Sequence, residues 1–460
     1  MDLTYKKLKN KRYNFFSIAP ARAIVISFAI LILLGAILLS MPFSSRSGEW
    51  TPFVNSLFTS ASASCITGLV VYDTYGHWSI AGQIIILLLI QIGALGIITL
   101  ATFFSILLRK KVGIRGMILA KESINFFSYP DVLEIIKKIV KVTFIFEFIG
   151  AVILSASFVP EFGAIGLYMG IFTSISAFCN AGFDVTSAAV DGSYLCMIPF
   201  NDNLVVMNTV SVLIIIGGLG FSVWRDLYEY RIKKQLTFYT KLVLFISALL
   251  LVLGALFFFV NEYNNPKTMG SMSVLEKINT SFFHSASIRT AGFYSINFGD
   301  MKEMSKVFSV FLMFVGAAPG STAGGIKVTT LGVLVMAVFS QIRGSDNIVL
   351  FKNRINQQTV NKALSITGLS IIFIMVITTV IVSIQPFHFI DILFEITSAF
   401  GTAGLSIGVV PLFNSASKAL LILAMFFGRV GSLSFAVALT MKQSRRNSDM
   451  VYPEAKILVG

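Results

Sequence analysis

Apolar and polar positions along this chain fall into long blocks, not the short periods of a soluble fold. Apolar runs occupy Ile24–Met41, Ile84–Leu108, Leu242–Val260 and Ile366–Ile384. Each reaches the ~18–20 residues that a helix needs to cross a bilayer. Shorter apolar segments lie between long ones, at about 51–64, 165–178, 275–288 and 390–400. These are too short to cross. Their flanking spans change sides only once each, so the short segments start and end on one side. They read as re-entrant half-helices followed by an extended return. Non-helical backbone at membrane depth is tolerated only inside protein or beside an aqueous cavity.

A glycine follows each short segment: Gly68 in "SASCITGL", Gly182 in "SAFCNAGF", Gly292 in "ASIRTAGF" and Gly404 in "SAFGTAGL". The glycines stand roughly 110 residues apart, and ten residues before each is a phenylalanine, Phe58, Phe172, Phe282 or Phe394. Small residues recur at the sixth and fifth positions before each: Ser62 and Ala63, Ser176 and Ala177, Ala286 and Ser287, Ser398 and Ala399. Self-similarity at a fixed period marks a repeat architecture. Each repeat comprises a first span, a short pore helix, a glycine strand and a second span. The first spans lie at about 24–42, 134–159, 238–261 and 363–385, and the second at about 80–108, 204–224, 305–340 and 418–441. An even number of spans makes the repeats parallel. Parallel re-entrant repeats favour an all-α, pseudo-fourfold ring around one central pore, whereas inverted repeats mark alternating-access carriers.

Rings of backbone carbonyls replace the hydration shell of an alkali cation. Glycine suits such a strand because it adopts left-handed backbone and adds no side chain. Thr67, Ala181, Ala291 and Ala403, each preceding a glycine, keep the strand near the axis. The candidate ion site is therefore the carbonyls of Thr67–Gly68, Ala181–Gly182, Ala291–Gly292 and Ala403–Gly404, with the carbonyls of the four glycines as K+ ligands. The pore helices aim their negative C-terminal ends at it. No ring of carboxylates stands there. One such Ser-Ala-Gly cluster would usually mark helix packing, but four in register after too-short segments favour the re-entrant reading.

The second spans also echo one another, in "QIGALGI", "IIGGLGF", "MFVGAAPGSTAGGIK" and "FFGRVGSLSF". Gly93, Gly96, Gly217 and Gly220 read as packing glycines. The third span must break, because Gly316, Ala317, Ala318, Pro319, Gly320, Ser321, Thr322, Ala323, Gly324 and Gly325, up to Lys327, place one proline and four glycines inside an apolar stretch. Proline costs ~3 kcal/mol inside a helix and glycine ~1 kcal/mol. This loop is a candidate gate beneath the glycines. Arg429, a charge within the fourth second span, is functional by default and is expected to face the axis. Lys327 is expected near the cytoplasmic cavity. Arg289, in the third motif, is expected to point into the protein and pair with Glu395. Glu147, in the second repeat's first span, has no assigned role.

Composition fits this picture. Of 460 residues, 55% are hydrophobic and 13% charged, below the ~25% typical of soluble domains. The net charge of +14 belongs to topology, not to nucleic acid. Lys6, Lys7, Lys9, Lys11, Arg12 and Arg22 precede the first span. Arg109, Lys110, Lys111, Arg115, Lys121, Lys137, Lys138 and Lys141 fill the next connection of that sidedness, and Arg225, Arg231, Lys233, Lys234 and Lys241 the third. Arg343, Lys352, Arg354 and Lys362 occupy the fourth, and Lys442, Arg445, Arg446 and Lys456 the tail. The opposite connections carry Glu49, Asp73, Glu161, Asp184, Asp191, Asp202, Glu262 and Asp300. The positive-inside rule puts both termini in the cytoplasm, and the basic loops then face anionic lipid. Cys65, Cys179 and Cys196 have no metal-ligand spacing and read as small buried residues. His77, His284 and His388 are dispersed, and no catalytic triad or nucleotide loop appears, so nothing supports an enzyme. The organisation is a cytoplasmic segment 1–23, repeat 1 at 24–108, a loop at 109–133 and repeat 2 at 134–224. A loop at 225–237, repeat 3 at 238–340, a loop at 341–362, repeat 4 at 363–441 and a tail at 442–460 complete it. A potassium pore leads, ahead of a sodium or unselective monovalent cation pathway, a solute carrier and a non-transporting scaffold.

Four span–pore–span repeats, one glycine each, a broken third-repeat span and an Arg in the fourth resemble the Trk/Ktr/HKT superfamily along essentially the whole chain. The stretches "SIAPARAI", "IRTAGF", "GSTAGGIK", "GRVGSLSF" and "VYPEAKILVG" are most similar to the membrane subunit of bacterial Ktr potassium uptake systems. The chain lacks the additional N-terminal spans of Trk-type relatives. The resemblance implies K+ uptake stimulated by Na+ in a bacterial cell membrane, through one pore per chain of a homodimer. It further implies a separate cytosolic RCK-type regulatory subunit that binds ATP, ADP or NAD(H). Gly68, Gly182, Gly292 and Gly404 match the family's filter glycines, and a Ser in place of Gly68 would suggest a sodium-preferring relative. Gly316–Lys327 and Arg429 match the family's gate. The Ala318-Pro319-Gly320 sequence departs from the small or polar residues expected there, and its proline would stiffen the loop.

Overall fold

The computed structural model describes residues 20–108, 117, 132–188, 196–345, 347–351 and 353–431. The basic residues before the first span other than Arg22, those from Arg109 to Lys121, Asp191, Lys352, the second-span residues past 431 and the tail lie outside the described residues. The chain begins with α1 (Pro20–Ser40), α2 (Phe53–Cys65), α3 (Ile80–Leu95) and α4 (Ile97–Leu107). Next come α5 (Val132–Phe162), α6 (Ala164–Phe178), α7 (Leu204–Gly218) and α8 (Phe221–Lys233). Then follow α9 (Phe238–Glu262), α10 (Val274–Ser287), α11 (Glu303–Phe314) and α12 (Val328–Ile342). A short antiparallel hairpin, β1 (Val349–Leu350) and β2 (Asn353–Arg354), precedes α13 (Gln357–Ile384), α14 (Phe389–Gly401) and α15 (Ser415–Val430).

The burial pattern inverts that of a soluble protein. The long helices α1, α5, α9 and α13 are long and apolar enough to cross a membrane. They leave Leu33, Phe148, Leu253 and Ile372 exposed, as expected where lipid is the solvent. The short helices α2, α6, α10 and α14 carry the hydroxyls, and these are interior: Ser60, Ser62, Ser174, Ser176, Ser285 and Ser398 are buried.

Glycines set how closely the layers approach. Gly35, Gly150 and Gly254 in the long helices admit Ser60, Ser174 and Ser285 of the short ones, whose hydroxyl oxygens occupy the space a Cβ would fill. Each serine donates to a carbonyl three residues before its glycine: Ile32 at 2.7 Å, Glu147 at 2.6 Å and Leu251 at 2.6 Å. This seats these three hydroxyls against acceptors, which offsets the cost of burying them. The fourth long helix departs from the pattern, since Gly368 faces open space.

Each long helix packs on the short helix that follows it, while α3 packs on α6, α7 on α10, α11 on α14 and α15 on α2. The second-span contacts thus run forward along the chain and return to its beginning.

Two further breaks appear where sequence pointed only to the Gly316–Lys327 loop. The pairs α3–α4 and α7–α8 each bend by 95°. These bends fall at Gly96 (φ +80°) and Gly220 (φ +86°); the Val315–Lys327 loop parts α11 from α12, and α15 ends at Gly431 (φ +91°). Gly93, Gly217 and Gly428, three residues earlier, do pack: a Cβ there would strike the carbonyls of Ser64, Phe178 and Phe400. One glycine admits the neighbouring short helix and, at Gly96 and Gly220, the next turns the chain.

Candidate functional site

The four short helices end in residues that force the chain to reverse. Ile66, Asn180, Thr290 and Thr402 take positive φ (59°, 57°, 92° and 51°), and so do Gly68, Gly182, Gly292 and Gly404 two residues later (90°, 70°, 78° and 77°). A β-branched residue in the left-handed region is an outlier, so Ile66 shows how firmly the turn is imposed. After three of the short helices the turn closes on a carbonyl of the helix's last turn, with Thr67 N–H to Ser62 O, Ala181 N–H to Ser176 O and Ala403 N–H to Ser398 O, each 2.8 Å. After α10, Ala291 N–H donates to Ser287 O at 2.9 Å instead. Alternating left-handed and ordinary backbone turns every second peptide plane, which lets consecutive carbonyls face one side.

The glycine strands meet. A Cβ on Gly68 would lie 2.6 Å from the Ala181 carbonyl oxygen, one on Gly182 2.7 Å from that of Ala291, and one on Gly292 3.1 Å from that of Ala403. A Cβ on Gly404 would fall on the Thr67 carbonyl. Each glycine therefore abuts the residue before the next glycine, and the last abuts the first. Together they line a cavity of about 390 Å³, with Leu69, Asp73, Asp184, Tyr294 and Ser406 in its walls. Asp73 accepts from the Ser187 hydroxyl at 2.7 Å, and Asp184 from the Thr186 hydroxyl at 2.6 Å. Two carboxylates in a concave wall favour cations.

The Gly316–Lys327 segment is irregular and strapped from several sides. Internally, Gly316 N–H donates to Ile326 O at 2.7 Å. Towards the α7–α8 bend, Ala318 N–H donates to Gly218 O at 3.1 Å and Phe221 N–H to Gly320 O at 2.9 Å. The Thr322 hydroxyl donates to Gly217 O at 3.2 Å. Towards the fourth glycine strand, Gly324 N–H donates to the Thr402 hydroxyl at 2.9 Å. The Tyr239 hydroxyl of α9 donates to Pro319 O at 2.9 Å. Lys327 turns back on the loop and donates to Ala323 O at 2.7 Å and Gly324 O at 3.1 Å. Arg429 donates to Thr322 O in the loop and to Gly93 O at the end of α3. Sequence gave no sign of the Thr402 and Tyr239 ties.

The expected pair of Arg289 and Glu395 does not form. Glu395 accepts from the Ser406 hydroxyl at 2.7 Å and Ile407 N–H at 3.0 Å, on its own strand. Arg289 lies instead beside α7 and Ala317. Glu147 acquires a place: it accepts from the Gln91 amide at 3.0 Å and the Cys179 thiol at 3.6 Å, joining α5 to α3 and to the start of the second glycine strand. Gly96 and Gly220, read from sequence as packing glycines, turn the chain instead, and Gly431 ends α15 with the same positive φ. Their signal is the spacing of three from Gly93, Gly217 and Gly428.

Residues 5–450 match the TrkH family model, described as cation transport protein. The chain is 38% identical to the potassium/sodium uptake protein NtpJ of Enterococcus hirae, over 96% of this chain and 98% of that protein. It is 36% identical to the Ktr system potassium uptake protein B of Bacillus subtilis, over 98% and 99%. Its fold is similar to the crystal structure of the potassium transporter TrkH from Vibrio parahaemolyticus, with a TM-score of 0.70 and 19% identity, over 95% of this chain and 86% of that one.

Proposed function

Because the chain belongs to the TrkH family of cation transport proteins, we propose that this multi-pass membrane protein is the ion-translocating subunit of a potassium uptake system. In this reading the stretches 24–108, 134–224, 238–340 and 363–441 are parallel repeats around one pore, with both termini and the loops at 109–133, 225–237 and 341–362 in the cytoplasm. The carbonyls of Gly68, Gly182, Gly292 and Gly404 and of the residues before them strip and replace the hydration shell of K+. The observation that carries the reading is the closed run of glycine contacts, Gly68 to Ala181, Gly182 to Ala291, Gly292 to Ala403 and Gly404 to Thr67, at the floor of a cavity bearing Asp73 and Asp184. The Gly316–Lys327 loop, tied by Arg429, is the gate below, Na+ stimulates flux, and a cytosolic nucleotide-binding subunit on a homodimer controls the loop. Relatives named for potassium uptake support the choice of ion.

A potassium/sodium relative also supports a less selective monovalent pathway. Uptake of K+ and Na+ by bacteria stripped of their own potassium systems separates the two, with this chain expressed alone and with a nucleotide-binding partner. K+ uptake that rises with external Na+ supports the first reading, and equal uptake of both ions supports the second. A well-inserted chain that moves neither ion under both conditions removes both.

A further inference from the structure

Arg289 stands three residues before Gly292 and is only 9% exposed. Its Nε donates to no described group. The glutamates buried among the described residues are engaged elsewhere: Glu147 with Gln91, Glu395 with Ser406, and Glu262 with Ser305, Asn265 and Thr268. A guanidinium keeps its charge under all ordinary conditions, and a buried charge without a counter-charge is strongly destabilising.

Arg289 borders a cavity of about 20 Å³ between α7, α9, α10 and the Gly316–Lys327 loop. That is room for one occupant near the size of a water molecule. Its polar groups are unbalanced. Ser247 of α9 lines it, and the Ser247 hydroxyl bonds to no described residue. Ala317 also lines it, and its N–H donates to no described group. Two carbonyls in the wall are already used: Ile215 O takes Leu219 N–H and Gly218 O takes Ala318 N–H, both at 3.1 Å. Asn180, with its amide turned to satisfy both ends, donates to Ile214 O and Ala177 O at 3.2 Å each. A guanidinium without a counter-charge, beside a hydroxyl and an N–H without described partners, suits an acceptor-only anion. Water, being neutral, would leave the guanidinium uncompensated.

We infer that this cavity binds a small monovalent anion of chloride size, held by the Arg289 guanidinium, the Ser247 hydroxyl and the Ala317 N–H. The anion neutralises a cation three residues from Gly292, and it joins the third glycine strand to the loop through Ala317. The site stands whichever cation the pore carries, since its occupancy is read by binding alone.

The test uses the purified full chain in detergent. Crystals grown in bromide should give an anomalous peak beside Arg289, and Tm should rise saturably with KCl or KBr but not with potassium gluconate at equal ionic strength. Arg289→Gln should abolish that difference. Because loss of the arginine can unfold the chain, Ser247→Leu is the second variant: it fills the cavity, keeps Arg289 and should remove both the peak and the chloride response. No bromide peak together with equal Tm in chloride and gluconate would mean that water alone occupies the cavity, and would overturn the inference. A chloride response that survives in Ser247→Leu would place the anion elsewhere and overturn it equally.

Discussion

Arg429 of α15 donates to the carbonyl oxygen of Thr322 in the irregular loop between α11 and α12. The same guanidinium reaches Gly93 O and, at 3.4 Å, Ala94 O at the end of α3. One planar fork thus ties α15 to the loop between α11 and α12 and to the end of α3. Lysine cannot reproduce this, because its ammonium is a point charge without a fixed fork. Hydrogen bonds to charged groups contribute about 1.5–3 kcal/mol each, enough to hold an irregular loop. Arg429→Ala is expected to raise K+ flux at least several-fold when no regulatory partner is present, and Arg429→Lys to give an intermediate flux. Flux into proteoliposomes is the measurement. A folded Arg429→Ala protein with wild-type flux would remove the loop from the gate.

The glycine strands make a sharper prediction. A side chain at position 404 would collide with the Thr67 carbonyl, and the residue would also have to hold a φ of 77°. Left-handed backbone costs a non-glycine residue roughly 1–2 kcal/mol. Gly404→Ser should therefore displace the neighbouring strand as well as its own, and lower the K+/Na+ uptake ratio by on the order of tenfold, the equivalent of 1.4 kcal/mol. Uptake of both ions at wild-type rates would show that these carbonyls do not select.

Gly220 serves a different purpose. It adopts φ 86° and ψ 144° at the α7–α8 bend, a region that is almost glycine-only. A Cβ there would lie 2.8 Å from Pro319 O. Gly220→Ala should destabilise the protein by about 1–3 kcal/mol and raise partner-free flux, because the bend and the loop share the Phe221–Gly320 hydrogen bond. Gly218→Ala is the control: its Cβ would meet nothing closer than 3.5 Å. Equal flux and Tm in the two variants would count against the bend as a support for the loop.

These cases mark how far the chain could be read without its structure. The short helices were legible from length alone, since α2, α6, α10 and α14 lie where apolar segments are too short to cross. The glycine strands were legible from repetition. The bends were not, because a glycine that packs and a glycine that turns are the same letter. Gly217 and Gly220 differ only in φ and in what lies opposite. The Arg289–Glu395 pair failed for a local reason: Glu395 finds Ser406 and the Ile407 N–H eleven and twelve residues along its own chain, closer in sequence than any arginine.

Glu147 illustrates a residue whose role needed three elements. It is 4% exposed and bonds Gln91 of α3 and Cys179 at the start of the second glycine strand. Glu147→Ala leaves the Gln91 amide and the Cys179 thiol without that acceptor, at about 1–3 kcal/mol for an unsatisfied buried group. Glu147→Gln keeps the shape and one acceptor oxygen. The expected order of Tm is wild type, then Gln, then Ala, with the K+/Na+ ratio altered in the alanine variant only. Equal stability of all three would show that the bracket behind the strand carries no weight.

His77 lies outside the spans, between the first glycine strand and α3. Its Nε2 is 3.1 Å from the Thr51 hydroxyl and its ring stacks on Tyr72 with centroids 4.0 Å apart. Burial lowers its pKa below the ordinary 6.5, so the fold favours the neutral ring. In the unfolded chain the imidazole takes up a proton near pH 6.5, whereas in the folded chain it resists. The stability this group contributes is therefore present above that pH and is lost as pH falls through the lowered folded value. The expected result is a Tm that declines between pH 7.5 and pH 5 in the wild type and declines less in His77→Phe, which keeps the stack on Tyr72 but cannot charge. Parallel profiles for the two proteins would assign the acid sensitivity to other groups.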